Sequence, residues 1–173
     1  MTETRENAIT DELTLLGAGQ SFEEEMCHML EGAWMFQDFD WPEILALAKV
    51  VQAYAAAPGT VIFREGAQGS YLCLVVSGRI AISKEDGHGA SKEVAAMGAG
   101  KMVGEMALID GEPRSATCTA LDAATVVLLT KDNFQRMTQQ YPALGLKVVM
   151  KIARLLSQRL RRTSGMLVDY LQD

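Results

Sequence analysis

The residues best equipped for chemistry in this sequence are Gly104, Glu105, Arg114 and Ser115. They lie in one stretch, Val103-Gly104-Glu105-Met106-Ala107-Leu108-Ile109-Asp110-Gly111-Glu112-Pro113-Arg114-Ser115-Ala116-Thr117. Gly104 has no Cβ, so a bound group can approach the backbone there. Glu105 to Ile109 can form one short helical turn, whose free N–H groups suit an anion. Arg114 offers a planar fork of donors that matches phosphate oxygens, and Ser115 adds a hydroxyl. A carboxylate at Glu105 would repel a phosphate, so its natural task is to accept a hydrogen bond from a sugar hydroxyl. Together these groups describe a site for a sugar phosphate of low charge. The GxxxxGK[ST] loop that a triphosphate would want is absent.

Such a stretch must be held by a scaffold, and the flanking sequence supplies one. Short apolar runs at 60–63, 71–76, 79–83, 93–97, 117–120 and 125–128 alternate with Gly66, Gly69, Gly78, Gly87, Gly89, Gly98 and Gly100. Many short strands between turn residues predict a β-barrel or sandwich over residues 51–130. Residues 1–50 form an N-terminal helical segment. Its first helix spans about 22–32, with Ser21 and Glu24 as a capping box and Glu23 to Glu25 in the first turn. Pro42 opens a second helix to about Val50. The cluster from Trp34 to Trp41 is expected to pack these helices onto the barrel. Residues 131–173 comprise a short helix, 132–139, and a long amphipathic one, about 143–171. The apolar seam of the long helix is Val149, Ile152, Leu156, Leu160, Met166/Leu167 and Leu171. A seam longer than a small barrel needs predicts a homodimer through this helix.

The chain has 173 residues, 49% of them hydrophobic, and a net charge of −6. It is long enough for one domain with a core plus an appendage, and its acidity argues against a generic nucleic-acid or anionic-membrane binder. The charge is uneven. Acids dominate up to Glu31, whereas 145–164 carries Lys147, Lys151, Arg154, Arg159, Arg161 and Arg162 and no acid. That basic stripe reads as a solvated helix face. Cys27, Cys73 and Cys118 are odd in number and widely spaced, which suits a reducing compartment. With no signal peptide and no span-length apolar run, the expected location is cytoplasmic. His28 and His88 have no metal-ligand spacing, and there is no GxSxG. A cupin-like metalloenzyme is therefore disfavoured, and the expectation is no enzyme, no metal and no cofactor.

The segment from Gly104 to Ala116 resembles the phosphate-binding cassette of the cyclic nucleotide-binding domain family: Gly-Glu-x-Ala/Gly-aliphatic, a short spacer, then Arg-Ser/Ala/Thr-Ala. Pro58-Gly59 … Phe63-x-x-Gly66-x-x-Gly69 … Tyr71-Leu72-x-Leu74-Val75-x-x-Gly78 resembles the family's first barrel strands. The likeness covers roughly Val50 to Ser164. It departs at Cys118, where an aliphatic residue is usual. The resemblance implies a mainly β fold with flanking helices, a double-stranded β-helix (jelly-roll) barrel with N-terminal helices and a long C-terminal helix.

It also implies roles. Glu105 would accept from the ribose 2′-OH and Arg114 would pair with the exocyclic phosphate oxygens. Gly104, Ala116 and backbone N–H groups around Met106, Ala107 and Ser115 would complete the cage. Val94, Met97 and Val103 would wall the sugar and base. Arg159-Leu160-Arg161-Arg162-Thr163-Ser164 resembles the segment in which Thr-Ser contacts adenine in the bacterial catabolite activator family, one hydroxyl coming from the partner subunit. Arg159 matches a position that approaches the ligand. Thr163 lies on the helical seam and needs a partner; the purine edge or a bond back to the preceding turn would serve. Hydroxyls donate and accept, so Thr163 and Ser164 fit adenine without excluding guanine; the resemblance favours cAMP, and cGMP and cyclic di-GMP stay open. An interaction protein with a vestigial nucleotide pocket is the alternative. Bacterial members usually continue into a helix-turn-helix. This chain reaches only Asp173, so no DNA binding is expected of it alone, whether it stands alone or is part of a longer protein. Its downstream partner is a protein that the residues do not name.

Overall fold

The computed structural model describes residues 12–170, in two compact units that divide between Gln135 and Arg136. The first unit contains nine strands among its described residues: β1 (Thr14–Ala18), β2 (Gln52–Ala56), β3 (Val61–Phe63), β4 (Tyr71–Ser77), β5 (Ile80–Glu85), β6 (Ser91–Met97), β7 (Met102–Val103), β8 (Thr117–Ala120) and β9 (Ala124–Thr130). Three helices accompany them: α1 (Glu23–Glu31), α2 (Trp41–Ala48) and α3 (Glu105–Asp110). Helix α4 (Lys131–Gln140) begins in the first unit and ends in the second, and α5 (Pro142–Tyr170) belongs to the second.

The strands form two antiparallel sheets, ordered β1-β2-β9-β4-β7 and β3-β8-β5-β6. This is the jelly-roll barrel with flanking helices that the sequence predicts. One apolar core draws on both sheets: Tyr71, Cys73, Val75, Val126 and Leu128 from the first, and Ile62, Phe63, Ile80, Cys118 and Ala120 from the second. Strand periodicity explains the choice, since alternate side chains share a face. In β4 and β9 the intervening Leu72, Leu74, Val127 and Leu129 are buried as well, on the opposite face. These strands therefore read as continuous apolar runs. At one end of the barrel Gly78 has φ 78°, and a Cβ there would come within 2.5 Å of the Ala123 carbonyl. Only glycine lets the β4–β5 turn sit so close to the β8–β9 turn, where Arg79 and Asp122 then pair at 2.7 Å.

Three features depart from expectation. Strand β1 lies in a stretch without clear alternation, and its hydrogen-bonded edge to β2 rather than its side chains defines it. Ser21 does not cap α1. It sits inside a 3-10 turn, Gln20–Phe22, so Phe22 takes the cap position and no side-chain cap bond forms. The capping box belongs to α2 instead. There Asp40 Oδ1 accepts from the Glu43 N–H and Glu43 Oε2 accepts from the Asp40 N–H, both at 2.9 Å. The aromatic cluster also divides. Phe36 and Phe39 are buried edge-to-face, with centroids 5.1 Å apart, while Trp41 is 52% exposed. Trp34 is partly covered, with the Lys101 ammonium 5.7 Å from its ring centroid.

In the second unit Gly145 permits close packing of α5 on the end of α4, because a Cβ there would lie 2.6 Å from Thr138 Oγ1. Leu144, Val148 and Ile152 are buried at steps of four. Val149, assigned to the seam from sequence, is only partly buried, because the stripe through Leu144 and Ile152 takes in its neighbour Val148. Further along, Leu160, Met166 and Leu167 are exposed. Leu171 lies outside the described residues.

Candidate functional site

The cassette is built on the exit from β7. Val103 ends that strand inside the core, and Gly104 then turns the chain with φ 75° and ψ 8°. That left-handed conformation favours glycine. Helix α3 follows and stops at Gly111, φ 73°, whose N–H donates to the Ala107 carbonyl. Ala107 and Leu108 face inward while Met106 and Ile109 stay exposed, so one side of this single-turn helix anchors it to the barrel. Glu105 is on the inner side and only 1% exposed.

Arg114 precedes β8 and is 3% exposed. Its backbone is tied at both ends, the N–H donating to the Ala67 carbonyl and the carbonyl accepting from the Gly66 N–H, each at 2.8 Å. Its guanidinium Nη1 donates to the Gly104 carbonyl at 2.9 Å, which brings the two ends of the cassette together. The guanidinium carbon lies 4.2 Å from the Phe63 ring centroid and 4.6 Å from that of Tyr71. Nε and Nη2 are buried and have no hydrogen-bond partner. Burial draws the Arg114 pKa down from its ordinary value. Two unmatched donors on a buried cation are costly unless an acceptor completes them. An anion of one phosphate's size would do so, and would also compensate the buried charge.

The remaining predicted residues fall as follows. Ser115 is exposed, with its hydroxyl 3.9 Å from Met106 Sδ, and Ala116 is half-buried just before β8. Val94 and Met97 both lie on β6; Val94 is 58% exposed, whereas Met97 packs against the core. Arg159, Thr163 and Ser164 lie on α5; Arg159 is half-buried and the two hydroxyl residues are exposed. Sequence reasoning assigned Phe63 and Tyr71 to the barrel strands alone and missed their contact with Arg114. Only the β3–β8 pairing, which sets Phe63 opposite Cys118, brings this strand beside the end of the cassette. Gly69 was likewise a turn residue in the sequence. In the fold a Cβ there would overlap the Ala107 methyl and come within 3.0 Å of Arg114 Nε. Among the described residues no three His, Cys, Asp or Glu side chains gather into a metal-binding group.

Fold and site together define a β-barrel domain in which a helix–loop cassette buries an arginine with two unmatched donors. The family model for the cyclic nucleotide-binding domain matches residues 55–141, and this chain belongs to that family. Among curated proteins it is similar to the CRP-like cAMP-activated global transcriptional regulator of Mycobacterium tuberculosis, 28% identical over 146 residues. The match covers 84% of this chain and 63% of that protein's length. Among solved structures it is similar to a cyclic nucleotide-binding domain from Methylobacillus flagellatus (TM-score 0.81, 30% identity, 93% of this chain and 90% of that one). It is also similar to the Catabolite Activator Protein of Thermus thermophilus (TM-score 0.69, 29% identity, 80% of this chain and 62% of that one).

Proposed function

We propose that this chain is a cyclic-nucleotide sensor, that cAMP is its preferred ligand, and that it signals without catalysis by moving its C-terminal helix. The observation that carries the reading is the buried Arg114 guanidinium with two unmatched donors beside Gly104 and Glu105. In this reading Arg114 and the backbone N–H groups around Met106, Ala107 and Ser115 hold the cyclic phosphate, and Glu105 accepts from the ribose 2′-OH. Val94, Met97 and Val103 line the sugar and base. Thr163 and Ser164 on α5 meet the purine edge, with Arg159 nearby. The mycobacterial relative, cAMP-activated by name, supports the choice of adenine. Ligand binding shifts the population of α5 positions. The buried free thiols Cys27, Cys73 and Cys118 support a reducing, cytoplasmic setting, and no helix among the described residues is long and apolar enough to cross a membrane.

Isothermal titration with cAMP, cGMP and cyclic di-GMP tests the reading. A charged hydrogen bond is worth about 1.5–3 kcal/mol. Arg114→Ala is therefore expected to weaken cAMP binding roughly tenfold to a hundredfold. Failure of all three nucleotides to bind below about millimolar would reject the receptor, and tighter binding of cGMP or cyclic di-GMP would reassign its ligand.

The exposed Leu160, Met166 and Leu167 support a homodimer formed through the distal part of α5. Sedimentation should then give a dimer that Leu160→Asp converts to monomer; a parent chain sedimenting as a monomer at high micromolar concentration would count against it.

A further inference from the structure

Besides the cassette's own Gly104, two residues from outside the cassette, Phe63 and Tyr71, pack against Arg114. The guanidinium carbon is 4.2 Å from the Phe63 ring centroid and 4.6 Å from the Tyr71 ring centroid. The two rings meet edge-to-face, 6.4 Å apart at 67°. Tyr71 is itself immobilised, because its hydroxyl donates to the Ile62 carbonyl at 2.7 Å, on the strand that carries Phe63. The slot is closed by two glycines. A Cβ on Gly104 would overlap Nη1, and one on Gly69 would reach within 3.0 Å of Nε. The guanidinium sits in the corner between the two rings and makes one edge bond to the Gly104 carbonyl. The atoms left unmatched are Nε and Nη2, which lie on a common edge of the guanidinium.

We infer that Phe63 and Tyr71 form an aromatic clamp that orients the Arg114 guanidinium as a preformed, bidentate phosphate subsite, with Tyr71 as a positioning residue for nucleotide affinity. The inference rests on the proposed nucleotide-binding function, but the clamp is built entirely from the chain's own residues. A ring on a desolvated guanidinium contributes through cation–π attraction, and it spares the side-chain ordering that binding would otherwise require. The clamp suits arginine better than lysine: an ammonium is also drawn to the rings but is a compact charge without the bidentate donor edge.

Two measurements test it. In protein without added nucleotide, the Arg114 Nε–H and side-chain methylene resonances should be shifted upfield by the two adjacent rings, and Tyr71→Leu should remove a substantial part of that shift. In titrations with cAMP, Tyr71→Phe, which keeps the ring, should bind within about threefold of the parent. Tyr71→Leu should lose roughly 3- to 20-fold. In an Arg114→Ala background, Tyr71→Leu should cost little more, because there is no cation left to clamp. Additive losses in that double mutant would indicate general damage to the barrel and overturn the clamp. Parent-like affinity of Tyr71→Leu, or an Arg114 spectrum without ring-current shifts in the parent, would overturn it too. Absence of any nucleotide binding by a parent that does show those shifts would instead reject the functional reading and leave the clamp as a structural feature only.

Discussion

Gly104 and Arg114 constrain each other at atomic distance. The glycine carbonyl accepts from Nη1 at 2.9 Å, and the space beside its Cα is filled by the same guanidinium, with Phe63 Cε1 only 3.2 Å from where a Cβ would stand. Its φ of 75° adds a second objection to any side chain. Gly104→Ala should therefore displace the Arg114 fork and also strain the backbone by about 1–2 kcal/mol. The expected result is at least a tenfold loss of cAMP affinity by titration, with the melting temperature lowered by only a few degrees. Unchanged affinity would show that the fork is not held through Gly104. The spacing of Gly104, Glu105 and Arg114 was legible in the sequence because one local stretch carries the whole cassette. The aromatic contact with Arg114 was not. Phe63 and Tyr71 come from distant strands, and only the folded sheet makes them neighbours.

At the scale of elements, what could be read depended on whether the signal is local. The long helix α5 shows in its apolar seam, and the structure starts it at Pro142, which from sequence marks only the stop of the preceding short helix. β4 and β9 show as apolar runs because both of their faces are covered. β7 has two residues and no period to detect, and it exists because Val103 and Met102 pair with Cys73 and Leu74. Caps are ambiguous in sequence for a related reason: Ser21-x-x-Glu24 and Asp40-x-x-Glu43 carry equivalent patterns, and the preceding turn decides which is used. In the structure the Asp40 box is closed by two 2.9 Å bonds and the Ser21 one is not formed. Asp40→Ala should cost about 1 kcal/mol, seen as a drop of a few degrees in a thermal melt, whereas Ser21→Ala should leave the melt where it was. Equal effects of the two would contradict the cap assignment.

At the scale of the whole molecule, the barrel core places ionisable groups where water cannot reach them. Cys73 and Cys118 come from opposite sheets, and Tyr71 lies in the same core. Burial raises all three pKa values, opposed in each case by the positive charge of Arg114. The Cys118 thiol is pushed up to about 12 from an ordinary value of 9.0, and Cys73 is raised well above that value. The direction of the stability effect follows from linkage. In the unfolded chain these thiols release their protons near pH 9, while in the folded barrel they keep them. The unfolded state therefore binds fewer protons above pH 9. The stability the neutral thiols contribute is complete below pH 9 and is lost as pH rises toward the folded value. For one such thiol the loss is about 1.4 kcal/mol per pH unit. Thermal melts from pH 7 to 11 should be flat to about pH 9 and then fall. Cys118→Val, a neutral side chain of similar size at a position where the family resemblance implies an aliphatic residue, should leave the pH 7 melt nearly unchanged, within about 1.5 kcal/mol. It should also make the alkaline fall shallower. An alkaline limb as steep in that variant as in the parent would mean that Cys118 ionises as readily folded as unfolded, and that the two sheets do not seal the core around it.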